Sequence, residues 1–363
     1  MTKKPIDYPI LLTIIILVAF GTIMVFSASF YYAQLRWGDR YYFFKRQCIW
    51  AVVGFIAMAV TANISYWKLQ KFSKLLLVIT IILLIAVLFI GVERNNAKRW
   101  LNVAGLSIQP SEIAKFSLIL FLAHSMSLRR DKIRYFFKGV VPYLLLTGVL
   151  FGLIMLQPNF STAGSLVILV LVMLFVAGAR IWHLGFLGIC GAGAAGALVM
   201  AARYRLERWM AFLDPWKDPI ETGYQMIQSL YSLGAGGLFG MGLGESRQKY
   251  LYIPYPETDF IFAIIGEELG FIGGVILILL FVILIWRGLK IAITAPDLFG
   301  CLLASGIIGM IAIQTIINVA VVTASMPPTG LPLPFVSFGG SSLAISMASI
   351  GVLLNISRYA KTS

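Results

Sequence analysis

Apolar runs long enough to cross a membrane alternate with short polar stretches along almost the whole chain. A bilayer core about 30 Å thick is crossed by roughly 20 helical residues rising 1.5 Å each. Seven such runs stand at about 9–30, 75–91, 140–157, 161–179, 181–202, 298–323 and 335–357. Three more carry charges or end in basic residues: about 47–63, about 110–128 around Glu112 and Lys115, and about 259–286 around Glu267 and Glu268. The pattern predicts an all-α polytopic membrane protein of ten transmembrane helices, forming one domain over residues 1–363. Residues 140–179 contain no charge and no His, and Gln157-Pro158-Asn159 supplies the turn of a tight hairpin between two spans. Lys3 and Lys4 before an apolar run, with Ser27-Ala28-Ser29 loosely resembling a cleavage site, mimic a secretory signal. That run is too long for a typical signal core and nine spans follow, so it is read as a retained first helix. Residues 203–258 form the one long connection, between helices 7 and 8.

Composition agrees: 60% of the residues are hydrophobic and 12% charged, where soluble domains run at about 45–50% and about 25%. A soluble enzyme, a disulfide scaffold and a disordered chain are excluded. The net charge of +14 reads as topology. With an even number of spans both termini share a side, and that side carries 15 Lys and Arg against seven in the opposite short loops. Six in the long loop and Lys115 within a span complete the 29. Both termini are thus expected to be cytoplasmic, and no nucleic-acid partner is expected. Cys48, Cys190 and Cys301 are far apart in or beside apolar stretches, with neither disulfide-framework nor zinc spacing. His124 and His183 are isolated and read as packed or interfacial.

The long loop is too aromatic to be disordered, and Met226–Leu230 could form a short amphipathic helix on the outer leaflet. Six glycines between Gly234 and Gly244 lack P-loop spacing, which excludes ATP. They serve either tight turns and close packing or a backbone nest for an anionic headgroup. Charges inside apolar helices each cost about 2.5–3.5 kcal/mol unless paired or wet. Glu112 and Lys115, three apart after Gln109-Pro110-Ser111, form either a helix-start ion pair or the lining of an outward cavity. Glu267 and Glu268, about two turns into their helix, are read as paired with another helix. Asp259 stands where the aromatic loop becomes a helix. A helix cap is the reading from position alone, and a general base for a lipid-linked substrate is the alternative.

Several ordered segments together resemble the shape, elongation, division and sporulation family, whose branches include FtsW, RodA and SpoVE. They include Lys98-Arg99-Trp100 through Gln109-Pro110-Ser111-Glu112 and Lys115, Phe175-Val176-Ala177-Gly178-Ala179-Arg180, and Tyr204-Arg205 with Arg208. Asp214-Pro215-Trp216, Gly223-Tyr224-Gln225 with Gln228-Ser229, Gly240-Met241-Gly242-Leu243-Gly244, Thr258-Asp259-Phe260-Ile261 with Glu267-Glu268, and Gly339-Gly340-Ser341-Ser342 follow. The likeness runs the length of the chain and fits the FtsW or SpoVE branch better than RodA.

The resemblance implies a peptidoglycan glycosyltransferase of the bacterial plasma membrane. It would polymerise undecaprenyl-pyrophosphate-linked lipid II on the outer face, with a class B penicillin-binding protein and other division or sporulation proteins as partners. It makes Asp259 the expected catalytic residue, taking the proton from the acceptor's 4-hydroxyl as that oxygen attacks C1 of the donor. Arg99, Lys115, Arg205, Arg208 and Lys249 are then expected to hold pyrophosphate, and the matched Glu112, Gln225, Gln228, Ser229 and Thr258 join the substrate-binding set. A divalent cation, Mg or Mn, is an expectation that no carboxylate cluster in the sequence establishes. Two departures stand out. The family's Gln-Pro-Asp and Gly-Thr become Gln157-Pro158-Asn159 and Ser161-Thr162, and its Leu-Pro-Glu-x-His or -Gln becomes Ile253-Pro254-Tyr255-Pro256-Glu257. A lipid II flippase and a non-catalytic activator of the penicillin-binding protein are the alternatives. The flippase is disfavoured because the polar groups gather on one side and no internal repeat is visible.

Overall fold

The computed structural model describes residues 5–94, 97–103 and 106–360. Its helices are α1 (Tyr8–Trp37), α2 (Tyr42–Asn63), α3 (Tyr66–Ile90), α4 (Pro110–Leu128), α5 (Val141–Met155), α6 (Phe160–Val176), α7 (Ile181–Met200), α8 (Arg203–Leu213), α9 (Tyr224–Gly236), α10 (Ile261–Thr294), α11 (Leu298–Val322) and α12 (Ser341–Ser357). Among the described residues, α1, α2, α3, α5 with its lead-in turn, α7, α10 and α11 are long and apolar enough to cross a membrane. The apolar α6 and α12 are shorter, and α4 carries Glu112 and Lys115 in its first turns. All ten expected spans are therefore helices. Lys3, Lys4 and Lys361, which enter the charge count, lie outside the described residues, as does the Arg94 side chain.

The start of α1 and the end of α12 meet at one end of the bundle. The Asp7 carboxylate caps α1 by accepting from Ile10 N at 3.2 Å and pairs with Arg287 at 2.7 Å, while Asp7 N donates to Ser357 Oγ at the end of α12. Tyr66 and Trp67, at the start of α3, donate to Asp297 just before α11 at 2.7 and 2.6 Å. The long connection lies at the opposite end. Packing is uneven: α11 buries much of its surface against α4, α6 and α10, whereas Val199 alone is buried along α7.

Two features depart from the sequence reading. A three-stranded antiparallel ribbon, β1 (Val92–Arg94), β2 (Ala97–Val103) and β3 (Leu106–Ile108), stands between α3 and α4 where only a short loop is expected. The long connection is also a packed part of the bundle. It holds α8 and α9, and Ser229 and Ser232 of α9 donate to Val322 O and Ala263 O at 2.7 and 2.9 Å.

The glycine-rich stretch answers a break in α10. Gly270, with φ 68° and ψ −168°, interrupts that helix in a conformation open essentially only to glycine. Groups freed or left over there bond to the loop instead: Phe271 N and Ile272 N donate to Gly237 O and Leu238 O, while Met241 N and Gly242 N donate to Glu267 O and Glu268 O. Within a membrane protein such backbone must be satisfied internally. The glycines are thus packing and turn residues rather than an anion nest. Gly270→Ala is expected to lower the thermal midpoint sharply. It adds about 1–3 kcal/mol of backbone strain and drives its β-carbon into Gly240 N. An unchanged melting curve would contradict this packing.

Candidate functional site

Asp259 sits at the loop-bearing mouth, and its surroundings follow from where α10 begins. The helix starts at Ile261 with Phe260 as its N-cap and no capping side chain, so the Asp259 carboxylate is not spent on the helix end. The cap reading is corrected by this one-residue offset between Asp259 and the N-cap. The backbone here is clamped from three directions. Glu257 O accepts from Phe338 N at 2.8 Å, Thr258 O from Ser337 Oγ at 2.5 Å, and Asp259 O from Asn318 Nδ2 of α11 at 2.8 Å. The Thr258 hydroxyl lies 2.8 Å from both Asp259 Oδ1 and Tyr255 O and can give its proton to either. Gly330, at φ 75°, brings the segment before α12 so near that a β-carbon there would stand 3.8 Å from Asp259 Oδ2.

Basic residues from two elements, α8 and β2, gather at the same mouth. Arg208 of α8 is exposed, donates to Pro328 O at 3.4 Å and acts on Asp259 through its charge. Arg99 of β2 donates to Gln157 O at 2.9 Å and to Pro158 O, which fixes the ribbon to the α5–α6 turn, and it feels the charge of Arg208. Arg205 donates to Leu198 O at 2.8 Å and lies 5.3 Å from the centre of the Phe160 ring. Ser161 donates to Thr329 O, so the stretch 328–330 touches Arg208, Ser161 and Asp259 in turn. Burial pushes the Asp259 carboxyl above the usual carboxylate range, while the Thr258 hydrogen bond and the Arg208 charge pull it back. The result is a half-buried acid of raised proton affinity under the charge of the Arg208 guanidinium.

The expected substrate-binding residues do not all meet there. Arg99, Arg205, Arg208 and Thr258 surround the Asp259 mouth. Glu112 and Lys115 form a buried ion pair of 2.7 Å, and Ser342 donates to Glu112 at 2.7 Å. They line a cavity of about 30 Å³, room for a water molecule, with Gln314, Ser346 and Ser349. Gln314 lies four residues before Asn318 on α11, about 6 Å along the axis from the residue that holds Asp259 O. Asn159, at the position of the expected acid, accepts from Thr162 N at 3.3 Å and caps α6. Gln225 and Gln228 are half-buried on α9.

Ser229 and Lys249 are corrected outright. Ser229 is fully buried and bonded to α11. Lys249 is also fully buried: its ammonium pairs with Glu268 at 2.9 Å, donates to Gly244 O and lies 4.9 Å from the Phe30 ring centre. Neither can reach a pyrophosphate at the surface. Glu268 also accepts from Ser27 of α1 at 2.7 Å, and Glu267 accepts from Ser246 Oγ at 2.5 Å and Arg247 N at 2.9 Å. The sequence reading of these acids as structural partners of other elements therefore stands. Ser161 and Asn318 were not anticipated; a hydroxyl after the hairpin turn and an amide in an apolar helix were the available signals.

Comparison with known proteins places this arrangement. The profile of the family described as cell cycle protein, covering FtsW, RodA and SpoVE, matches residues 8–362. The Stage V sporulation protein E of Bacillus subtilis (strain 168) is 50% identical over 99% of this chain and 100% of its own. A Geobacter sp. (strain M18) protein named "Probable peptidoglycan glycosyltransferase FtsW" is 42% identical over 97% of this chain and 96% of its own. A solved chain from work on the structural coordination of polymerization and crosslinking by a peptidoglycan synthase complex superposes with a TM-score of 0.81 at 31% identity, covering 98% of both chains. The crystal structure of Thermus thermophilus rod shape determining protein RodA gives 0.74 at 28% identity, again over 98% of both. By sequence along its whole length and by fold, this chain is a member of the FtsW/RodA/SpoVE family of multi-pass membrane proteins.

Proposed function

We propose that this chain is a peptidoglycan glycosyltransferase that polymerises lipid II at the mouth holding Asp259. The observation that carries the reading is the Asp259 carboxylate itself: it is released from helix capping, clamped through its backbone and set beside Arg208. The name of the Geobacter relative and the synthase complex support the same activity. The excess of Lys and Arg on the side of the termini argues that both termini are cytoplasmic and the mouth extracytoplasmic. The localisation is then the bacterial plasma membrane.

The chemistry needs one base and a held leaving group. Asp259 takes the proton of the acceptor's 4-hydroxyl while that oxygen attacks C1 of the donor sugar. The bond from C1 to the undecaprenyl pyrophosphate breaks, and the pyrophosphate leaves as an anion against Arg99, Arg205 and Arg208. Guanidinium groups suit this task because they stay charged and grip phosphate through paired donors. Raised proton affinity makes Asp259 a better base than a free carboxylate, and stabilisation of the departing charge supplies further rate. Glu112 and Lys115 hold the walls beneath the mouth. Among the described residues no group of three or more His, Cys, Asp or Glu could hold a metal ion. The expected divalent cation thus has no protein donor set of that kind among them. A class B penicillin-binding protein is the partner proposed, in division or sporulation.

The test is lipid II polymerisation by the purified chain in nanodiscs with a partner whose transpeptidase serine is removed. Glycan strands are expected; an assembled, stable complex that makes none would favour the non-catalytic activator. Arg208→Gln should raise the KM for lipid II. It also removes a charge that lowers the Asp259 pKa. Because Asp259 works ionised, its activity should then be lost at a higher pH as the medium is acidified. An acid limb of the pH–rate profile that stays in place would contradict this coupling.

A further inference from the structure

Two residues before Asp259 stands an acid that the mechanism above does not use. Glu257 is 1% exposed, and its Oε2 has no hydrogen-bond partner. An ionised carboxylate in that position carries a large desolvation cost, whereas a protonated one avoids most of it. Its neighbour carries charge of the same sign, and the clamps on Glu257 O, Thr258 O and Asp259 O prevent the two from separating by a backbone shift.

The groups facing this pair come from several elements. Tyr32 of α1 makes a hydrogen bond with Tyr255 and feels the charge of Glu257, with Arg36 a turn further on. Arg208 of α8 acts on Asp259. The segment before α12 contributes Ser337 and Phe338, and α11 contributes Asn318, none of which titrates near neutrality. Burial pushes the Glu257 carboxyl up to about 7, with the Asp259 charge adding to the effect.

We propose that Glu257 is a positioning residue that forms a coupled carboxyl pair with Asp259: Glu257 holds a proton while Asp259 is ionised, and loss of that proton strengthens Asp259 as a base. The inference rests on the reading of Asp259 as the base. Two like carboxyls held together titrate as a pair in separate steps. In the wild type the first proton lost belongs chiefly to Asp259, and the second, near neutral pH, chiefly to Glu257. The second step leaves a more basic Asp259, so the rate rises again through neutrality. About one pK unit of coupling permits a gain of up to about tenfold.

The experiment compares pH profiles of kcat/KM for lipid II in nanodiscs for wild type, Glu257→Gln and Asp259→Asn. The infrared carbonyl band of protonated carboxyls is followed over the same range. Glutamine keeps the shape of the buried side chain and cannot ionise. Wild type is expected to show two inflections and a carboxyl band that fades through neutral pH, while Glu257→Gln shows one inflection and lacks that band. An inactive Asp259→Asn together with a Glu257→Gln profile identical to wild type would overturn the coupling and leave the base assignment intact. An active Asp259→Asn would bring down both. Should Glu257→Gln fail to fold, the wild-type band decides: without a carboxyl titrating near neutrality the proposal fails.

Discussion

Replacing Asp259 by Asn is expected to lower the rate of glycan formation by about 10²- to 10⁴-fold, the usual worth of a positioned general base, while leaving the fold and lipid II binding nearly unchanged. The side chain takes no part in capping α10, and its backbone clamp through Asn318 does not depend on the carboxylate. The loss should therefore fall on kcat. Arg99, Arg205 and Arg208 would still hold the pyrophosphate, so KM should move little. Asp259→Glu should recover only a small part of the rate, because the longer side chain displaces the carboxylate from a fixed reacting geometry. A drop in KM-related binding with unchanged kcat would instead mark Asp259 as a substrate anchor.

The second large effect concerns stability. Lys249→Met should destabilise the protein by about 3–5 kcal/mol, since it strands the Glu268 carboxylate inside the bundle without its cation. Ser27 and the Ser246 amide would remain as its neutral donors. Pairing the change with Glu268→Gln should restore much of the loss, because removal of both charges leaves no buried ion uncompensated. Thermal unfolding in nanodiscs checks both variants. If Lys249→Met melted normally but bound lipid II poorly, the pyrophosphate-holding role expected from sequence would be reinstated.

The contrast between Lys249 and Arg208 shows what the sequence can convey. Apolar run length is a property of the chain itself, which is why ten helices could be placed by inspection. The motif segments likewise located the mouth and Asp259. Yet Lys249 and Arg208 both read as basic residues of one polar, aromatic loop. Their difference arises only when the broken helix at Gly270 draws residues 237–249 onto α10 and presents Glu268 to one of them. A one-dimensional pattern has no record of that pairing. Asp259 illustrates the same limit at closer range: cap and base differ by whether the helix starts at 260 or 261, finer than hydropathy resolves. The strands β1–β3 are three to seven residues long and sit between two spans, too short for an alternating pattern to stand out. Ser161, a departure from the family pattern, gains its meaning from the carbonyl of Thr329, 168 residues away.

The most direct measurement is a side-by-side assay of glycan strands made from labelled lipid II by the wild-type and Asp259→Asn proteins, each purified in complex with the same transpeptidase-inactive partner. The account predicts strands from the wild type and none above background from the variant, with equal complex yield and equal lipid II binding. Strands of equal length and amount from both proteins would contradict it, and would move the base away from this mouth.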